Sequence, residues 1–577
     1  MTREQEMNTP VIAIGLDSAD PELINRWLAE GQLPNLAALR ADGGYGSLDN
    51  LHYYKAETPW TTFLTGVMPA RTGYWTPVKL REGSYSVEEV QAYDFAEYPP
   101  FYALGEDFRV AVFDVPQTAL TPMANGPQVL AWGAHSPQTR SHSLPTALHA
   151  EVIARYGEHP ALHHDHGAWW DKDYLHFLRD ATSAGIGRRT RICVDWLRQE
   201  RWDLFLTIFG ETHSLGHDFW YLSQPDGPLS PLRKRMEFDG DPLLEAFQEV
   251  DEAIGRIIAA APPEATIVVF SIHGSGHNTT DLPSMVLLPE FLYRHSNPGR
   301  ALLAAGKPGA RLGAPISHFR GKQWENEIWE LRRDSHRLQG LFKRLLPRRT
   351  HRRINRLFGG LTDRELLSQK QLKQQGQAVS WQPSMWYSGL WPKMRAFAIP
   401  SFSEGYIRIN LAGREPEGIV QPEDYDALCE ELTTQLHELI NPRNGKPVVK
   451  QVVRTRTSAQ DRDPKLPEAD LVVVWADEPA DVIEHPRLGR IGPVPYRRSG
   501  SHRARGFWIA RGAGIEAGSV FQPGHAVDLP ATLLALMQAP VPPYMDGKPL
   551  LARSDQDTGP SPVDELGARR ASLSSHA

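Results

Sequence analysis

The chain has 577 residues, 41% of them hydrophobic, and a net charge of −7 from 62 Lys and Arg against 69 Asp and Glu. That length supports a main domain with a smaller one or a large insertion, and the charge balance argues against a nucleic-acid surface. Two cysteines, Cys193 and Cys429, exclude a disulfide scaffold.

The opening MTREQEMNTP is polar and has no apolar leader core, and no later window is long and apolar enough to span a bilayer. A cytoplasmic location is therefore expected. Residues 11–16, VIAIGL, read as a buried strand ending at Asp17, where open α/β sheets keep their ligands. Leu23, Trp27 and Leu28 follow at helical spacing, up to a break at Gly31. ETPWTTFLTG (57–66) brings Thr58, Thr61, Thr62 and Thr65 to a segment that can turn helical after Pro59. Thr58 suits an N-cap there. It also suits an alkoxide nucleophile beside a metal, with helix N–H groups steadying a phosphoryl oxygen. Trp60 and Phe63 read as packing residues.

RVAVFDVP (109–116) is a further strand, ending at Asp114. Residues 71–170 carry Tyr74, Trp75, His135, His142, His163, His164 and His166, which could line a pocket or lid. The strand in WDLFLTIFGE (202–211) leads into GETHSLGHDFW, whose His213 and His217 share one face if the segment is helical, a spacing suited to one metal ion. After the strand in ATIVVFSIHG (265–274) come His273 and His277 among glycines, and His502 precedes the strand in RGFWIARG (505–512). Separated strands of this kind predict a mostly parallel sheet with helices on both faces. Residues 320–358 are helical in pattern and basic from Arg332 to Arg356, either a solvated hairpin or a contact for anionic lipid or nucleic acid. A turn and an amphipathic helix occupy 417–443, and the tail from 554 to 577 has a disordered composition. Strand-end histidines with Asp17 suit zinc, with iron and manganese as alternatives.

The segments GLDSAD, TPWTTFLTG, GETHSLGH, FSIHGSGH, INLAGREPEGIV and SGSHRARGFWIARGAGI resemble the alkaline phosphatase superfamily, most of all its type I phosphodiesterase/nucleotide pyrophosphatase branch. The resemblance runs from about residue 10 to 552. It implies a three-layer sandwich with a central, mostly parallel sheet and a helical, basic insertion. It divides the chain into catalytic segments 1–315 and 396–553, an insertion or cap at 316–395, and the tail. It also implies two metal ions, usually zinc, and a Ser or Thr nucleophile. Asp17 falls on the strand-one aspartate of the second metal site. His213, His217 and His502 fall on the first site, and Ile272 and His273 fall on an Asp-His dipeptide. Three positions depart from that pattern. His213 replaces an aspartate, and Ile272 replaces a carboxylate ligand, a gap His277 could fill. Ala56 stands ten residues before Gly66, where the nucleophile usually sits; Thr58 is the candidate in its place and Thr61 the reserve.

These readings imply a metal-dependent hydrolase of small phosphate esters, with one or two Zn2+ ions and no stable nucleic-acid partner. Two alternatives accompany it: a single-metal hydrolase, lyase or group-transfer enzyme, and a degenerate family member without catalysis.

Overall fold

In the computed structural model, VIAIGL forms strand β1 (Val11–Leu16), buried along its whole length as an apolar run covered on both faces must be. The structure describes residues 8–551, except Glu57, Gln91, 134–139, 165–166, 304–310, 316–322, 333–336 and most positions between 348 and 365. The expected tail and His135 and His166 lie outside the described residues.

Nine further strands complete the sheet around β1. They are β2 (Gly44–Asp49), β3 (Val110–Phe113), β4 (Gln128–Leu130), β5 (His142–Leu144), β6 (Leu204–Phe209), β7 (Thr266–Ser271), β8 (Gly506–Arg511), β9 (Ser519–Val520) and β10 (Gly524–His525). Their spatial order is β9-β2-β8-β7-β1-β6-β3-β4-β5, with β10 also paired to β2. The centre, β7-β1-β6-β3-β4, is parallel. Strand β8 runs antiparallel to both β2 and β7, and β5 is antiparallel to β4. The fold is thus α/β with a mixed, mostly parallel sheet.

Alternation along β1 sends Val11 and Ala13 to one face, where they join Phe63, Leu529 and Leu533 in an apolar core. Against that core lie the short helices Pro59–Thr65 and Asp528–Leu536, while the long helices Lys172–Gln199 and Pro242–Ala260 pack on each other. The parallel centre also gathers the C-terminal ends of β1, β6 and β7 at one edge. Chemistry placed just after those strands converges there.

The chain divides into two units. The first comprises residues 1–75, 91–276 and 498–577 and contains the sheet described above. The second comprises residues 76–90 and 277–497. Its own antiparallel sheet has the order Ala396–Ile399, Gly405–Ile409, Leu471–Trp475, Val449–Arg454. Asp470 is fully buried beside that sheet, accepts two guanidinium bonds from Arg414 at 2.6 and 2.7 Å, and accepts the Tyr425 hydroxyl at 2.8 Å. Burial pushes this carboxyl up, but the surrounding arginines outweigh it and hold it well below its ordinary range. The helices Trp324–Glu330, Arg337–Leu345 and Tyr425–His437 of this unit fall where the sequence pattern is helical.

Candidate metal centre

The apolar strand β6 ends at Phe209, and the next residues turn into the helix Glu211–Asp218. One helical turn separates His213 from His217, so their Nε2 atoms meet at 3.0 Å. His217 donates from Nδ1 to the Gly500 carbonyl at 3.0 Å. The Arg498 guanidinium, which can only donate, lies 2.8 Å from His217 Nε2. Two separate contacts therefore fix the tautomer, with the Nε2 lone pair accepting from Arg498; a bound ion would take that lone pair in its place. Gly500 makes this approach possible: a Cβ there would lie 2.0 Å from the Gly216 carbonyl oxygen.

The four-residue strand Gly500–Arg503 also delivers His502. One ligand atom from each of His213, His217 and His502 lies within 4.8 Å of the others, and all three side chains are buried. Two nitrogens bound at about 2.05 Å to one ion stand about 2.9 Å apart at 90° and about 3.3 Å apart in a tetrahedron. The 3.0 Å between His213 and His217 falls in that interval, so that pair fits one divalent ion, and His502 completes a group that could hold it.

A second group adjoins the first. Asp17, directly after β1, and His273, directly after β7, bring Oδ1 and Nε2 to 3.7 Å. That is too long for a hydrogen bond and within the roughly 4.1 Å that two metal–ligand bonds can span. Ser18 joins the groups: its hydroxyl lies 3.1 Å from His502 Nδ1 and 3.3 Å from His273 Nδ1. The Ser18 oxygen has two lone pairs, so both Nδ1–H groups can donate to it, the arrangement in which each ring presents its Nε2 lone pair to a metal. Ser18 reaches this position with φ at 59°, in the left-handed region that side chains seldom adopt.

Ile272 lies in the apolar core, and its carbonyl accepts from Asn50 Nδ2 at 2.7 Å. An alkyl side chain supplies no ligand atom, so among the residues matched to the second site Asp17 and His273 remain. His277 falls in the second unit. Thr58 occupies the N-cap position of the helix Pro59–Thr65 without a side-chain capping bond; its hydroxyl instead donates to the Trp75 carbonyl at 2.6 Å. Among the described residues that hydroxyl bonds to none of the imidazoles. The same helix reaches the cluster through Trp60, whose ring meets His273 edge-on at 6.3 Å. Trp60 and Phe63 are core residues as expected, whereas Thr61 Oγ1 and Thr62 Oγ1 are buried without a hydrogen-bond partner. Of the aromatic and histidine positions in 71–170, Tyr74 and Trp75 are buried, Trp75 against Tyr54, and His164 packs on Phe177.

Several residues that hold the site gave no sequence signal. Thr212 donates to the Asp17 carbonyl at 2.6 Å, tying the end of β1 to the histidine helix. Ser499 donates to the His217 carbonyl at 2.8 Å. At the start of that helix, Glu211 meets Arg189 at 3.1 and 3.2 Å and His159 at 3.0 Å, and Arg189 reaches Asp114 at 2.6 Å. All of this is buried. Burial pushes the Glu211 carboxyl up, but Arg189 and His159 outweigh it and hold it down at about 2. Cys193, on the same helix as Arg189, is pushed up to about 12 by burial, which makes it an inert thiol.

The model of the type I phosphodiesterase / nucleotide pyrophosphatase family matches residues 11–334, more than half of the chain. No curated protein matches this chain in sequence. Among solved structures, phosphonoacetate hydrolase from Sinorhizobium meliloti 1021 in complex with phosphonoformate aligns at 13% identity with a TM-score of 0.45, covering 92% of this chain and 96% of that one. The same enzyme in complex with phosphonoacetate aligns at 13% identity with a TM-score of 0.44 and the same coverage.

Proposed function

This chain belongs to the type I phosphodiesterase / nucleotide pyrophosphatase family of the alkaline phosphatase superfamily, and we propose that it hydrolyses phosphate esters through a threonine nucleophile beside a zinc centre. The observation that carries this reading is the convergence of His213, His217 and His502, with Asp17 and His273 alongside. The first three would hold one ion, and Asp17 with His273 a second. Bound ions would supply Lewis-acid stabilisation of the charge that develops on the phosphoryl oxygens.

Thr58 is the candidate nucleophile. Its O–H bond is turned onto the Trp75 carbonyl, which leaves both oxygen lone pairs for phosphorus. In the first step Thr58 Oγ1 bonds to phosphorus as the ester P–O bond breaks, and the hydroxyl proton leaves with the departing alcohol. In the second, water bonds to phosphorus, the Thr58 Oγ1–P bond breaks, and a water proton restores the hydroxyl. His217, held by Gly500, and His273 and His502, both held by Ser18 at Nδ1, would keep the ligand lone pairs oriented.

Ile272 favours a second reading. With an alkyl group where a carboxylate ligand belongs, the three-histidine set would act with one ion and water as the direct nucleophile. Ions per chain, measured by mass spectrometry of the purified protein, and acid-stable protein-bound phosphate, measured after quenching a turnover, separate the two. Two ions with phosphate on Thr58, lost in Thr58→Ala and kept in Thr61→Ala, support the covalent scheme. Full turnover of phosphate mono- and diesters by Thr58→Ala refutes it. A protein with no ion and no turnover is the degenerate case.

A further inference from the structure

We propose that the helix Arg337–Leu345, in the second unit, docks this protein on an anionic phospholipid surface. The helix carries Leu338 and Leu341 at 49% exposure, Phe342 at 42% and Leu345 at 71%, while Gln339 is 3% exposed. Spacings of three, four and seven residues put these four apolar positions in one stripe along the helix. A helix serving only its own fold buries such a stripe and exposes its amide; this helix does the reverse. Leu346, at 43% exposure, directly follows its C-terminus.

The charge of the segment names the partner. The helix Arg337–Leu345, RLQGLFKRL, contains Arg337, Lys343 and Arg344 and no Asp or Glu, in a chain whose net charge is −7. Cations alone fit any polyanion. Nucleic acid binds them through phosphate contacts and has no use for a row of leucines. A bilayer interface takes both, with the apolar stripe entering the acyl boundary and the arginines meeting anionic headgroups. The helix needs no membrane-spanning length for this, and among the described residues no helix is long and apolar enough to cross a bilayer.

The experiment is co-sedimentation of the full chain with vesicles of phosphatidylcholine, alone or containing phosphatidylglycerol. Binding to the anionic vesicles only is expected. Leu341→Glu with Leu345→Glu should weaken it at least about tenfold, because two exposed side chains lose their place in the acyl boundary. Lys343→Glu with Arg344→Glu should weaken it at least about thirtyfold, two headgroup cations being removed. Circular dichroism and metal content at wild-type levels show that each variant is folded. Wild-type protein that stays in solution with anionic vesicles overturns the proposal. So does binding that persists unchanged in the leucine variant, or an apolar-independent affinity for an oligonucleotide in place of vesicles.

Discussion

Replacing His217 by alanine tests the centre most directly, because three contacts meet on that ring. Its Nε2 lies 3.0 Å from His213 and 2.8 Å from Arg498, and its Nδ1 donates to Gly500 at 3.0 Å. A four-ligand structural zinc site binds with about 10–16 kcal/mol, or roughly 2.5–4 kcal/mol per ligand if shared evenly. Loss of one ligand should then weaken the ion by about 100- to 1,000-fold. The same substitution leaves the buried Gly500 carbonyl short of a donor, for about 1–3 kcal/mol of stability even without metal. Two measurements separate these effects. Competition with a chromogenic chelator reads affinity, and thermal unfolding with and without Zn2+ reads linkage. A wild-type site held at 1,000 times its Kd gains about 4 kcal/mol from the ion, a gain His217→Ala should largely lose. His164→Ala, on a ring packed against Phe177, should change neither quantity. Wild-type ion affinity in His217→Ala would show that the imidazole cluster is not a metal centre.

Arg498→Ala should keep the metal, since a guanidinium is no ligand, yet weaken inorganic phosphate binding to the metal-loaded protein by at least about tenfold, the value of one charge-assisted hydrogen bond; isothermal titration with Zn2+ and then phosphate measures both. Arg189→Met leaves Glu211 and Asp114 buried without the guanidinium they share and should lower unfolding stability by about 3–5 kcal/mol in urea, and adding Glu211→Gln and Asp114→Asn should recover much of that loss. Glu211 also sets an acid limit. Its folded carboxyl is held at about 2, below the ordinary 4.5. The stability it contributes is therefore complete above pH 4.5 and is lost as pH falls towards 2, on the order of 3 kcal/mol across that window. In Glu211→Gln the pH dependence of unfolding over that range should flatten.

Much of this architecture is legible in the chain itself, for reasons that differ by element. A strand buried on both faces must be apolar throughout, which is why VIAIGL, LFLTIF and TIVVFS announce β1, β6 and β7. The His213–His217 spacing carries its geometry with it once the segment is helical. Strand direction has no such signature: FWIAR reads alike in either sense, and its antiparallel place between β2 and β7 depends on partners hundreds of residues away. The same holds for side-chain partners set by tertiary contact. Nothing near Thr58 says that its hydroxyl finds the Trp75 carbonyl, and nothing near Arg189, in a helix of polar appearance, says that it lies fully buried between two carboxylates. Ser18 and Arg498 were hidden in the same way, one among turn residues and one in a basic run.

The order of the ligands along the chain bears on how the protein is made. Asp17, His213, His217 and His273 leave the ribosome early, but His502 follows only after the entire second-unit segment 277–497. The three-histidine set is therefore incomplete on any nascent chain shorter than 502 residues, and β8, the strand wedged between β2 and β7, is missing as well. A site that needs all three histidines could therefore be completed only together with that strand. A stalled chain ending at residue 490 should still expose the pairing edge of β7, which makes that edge the natural place for a chaperone to act.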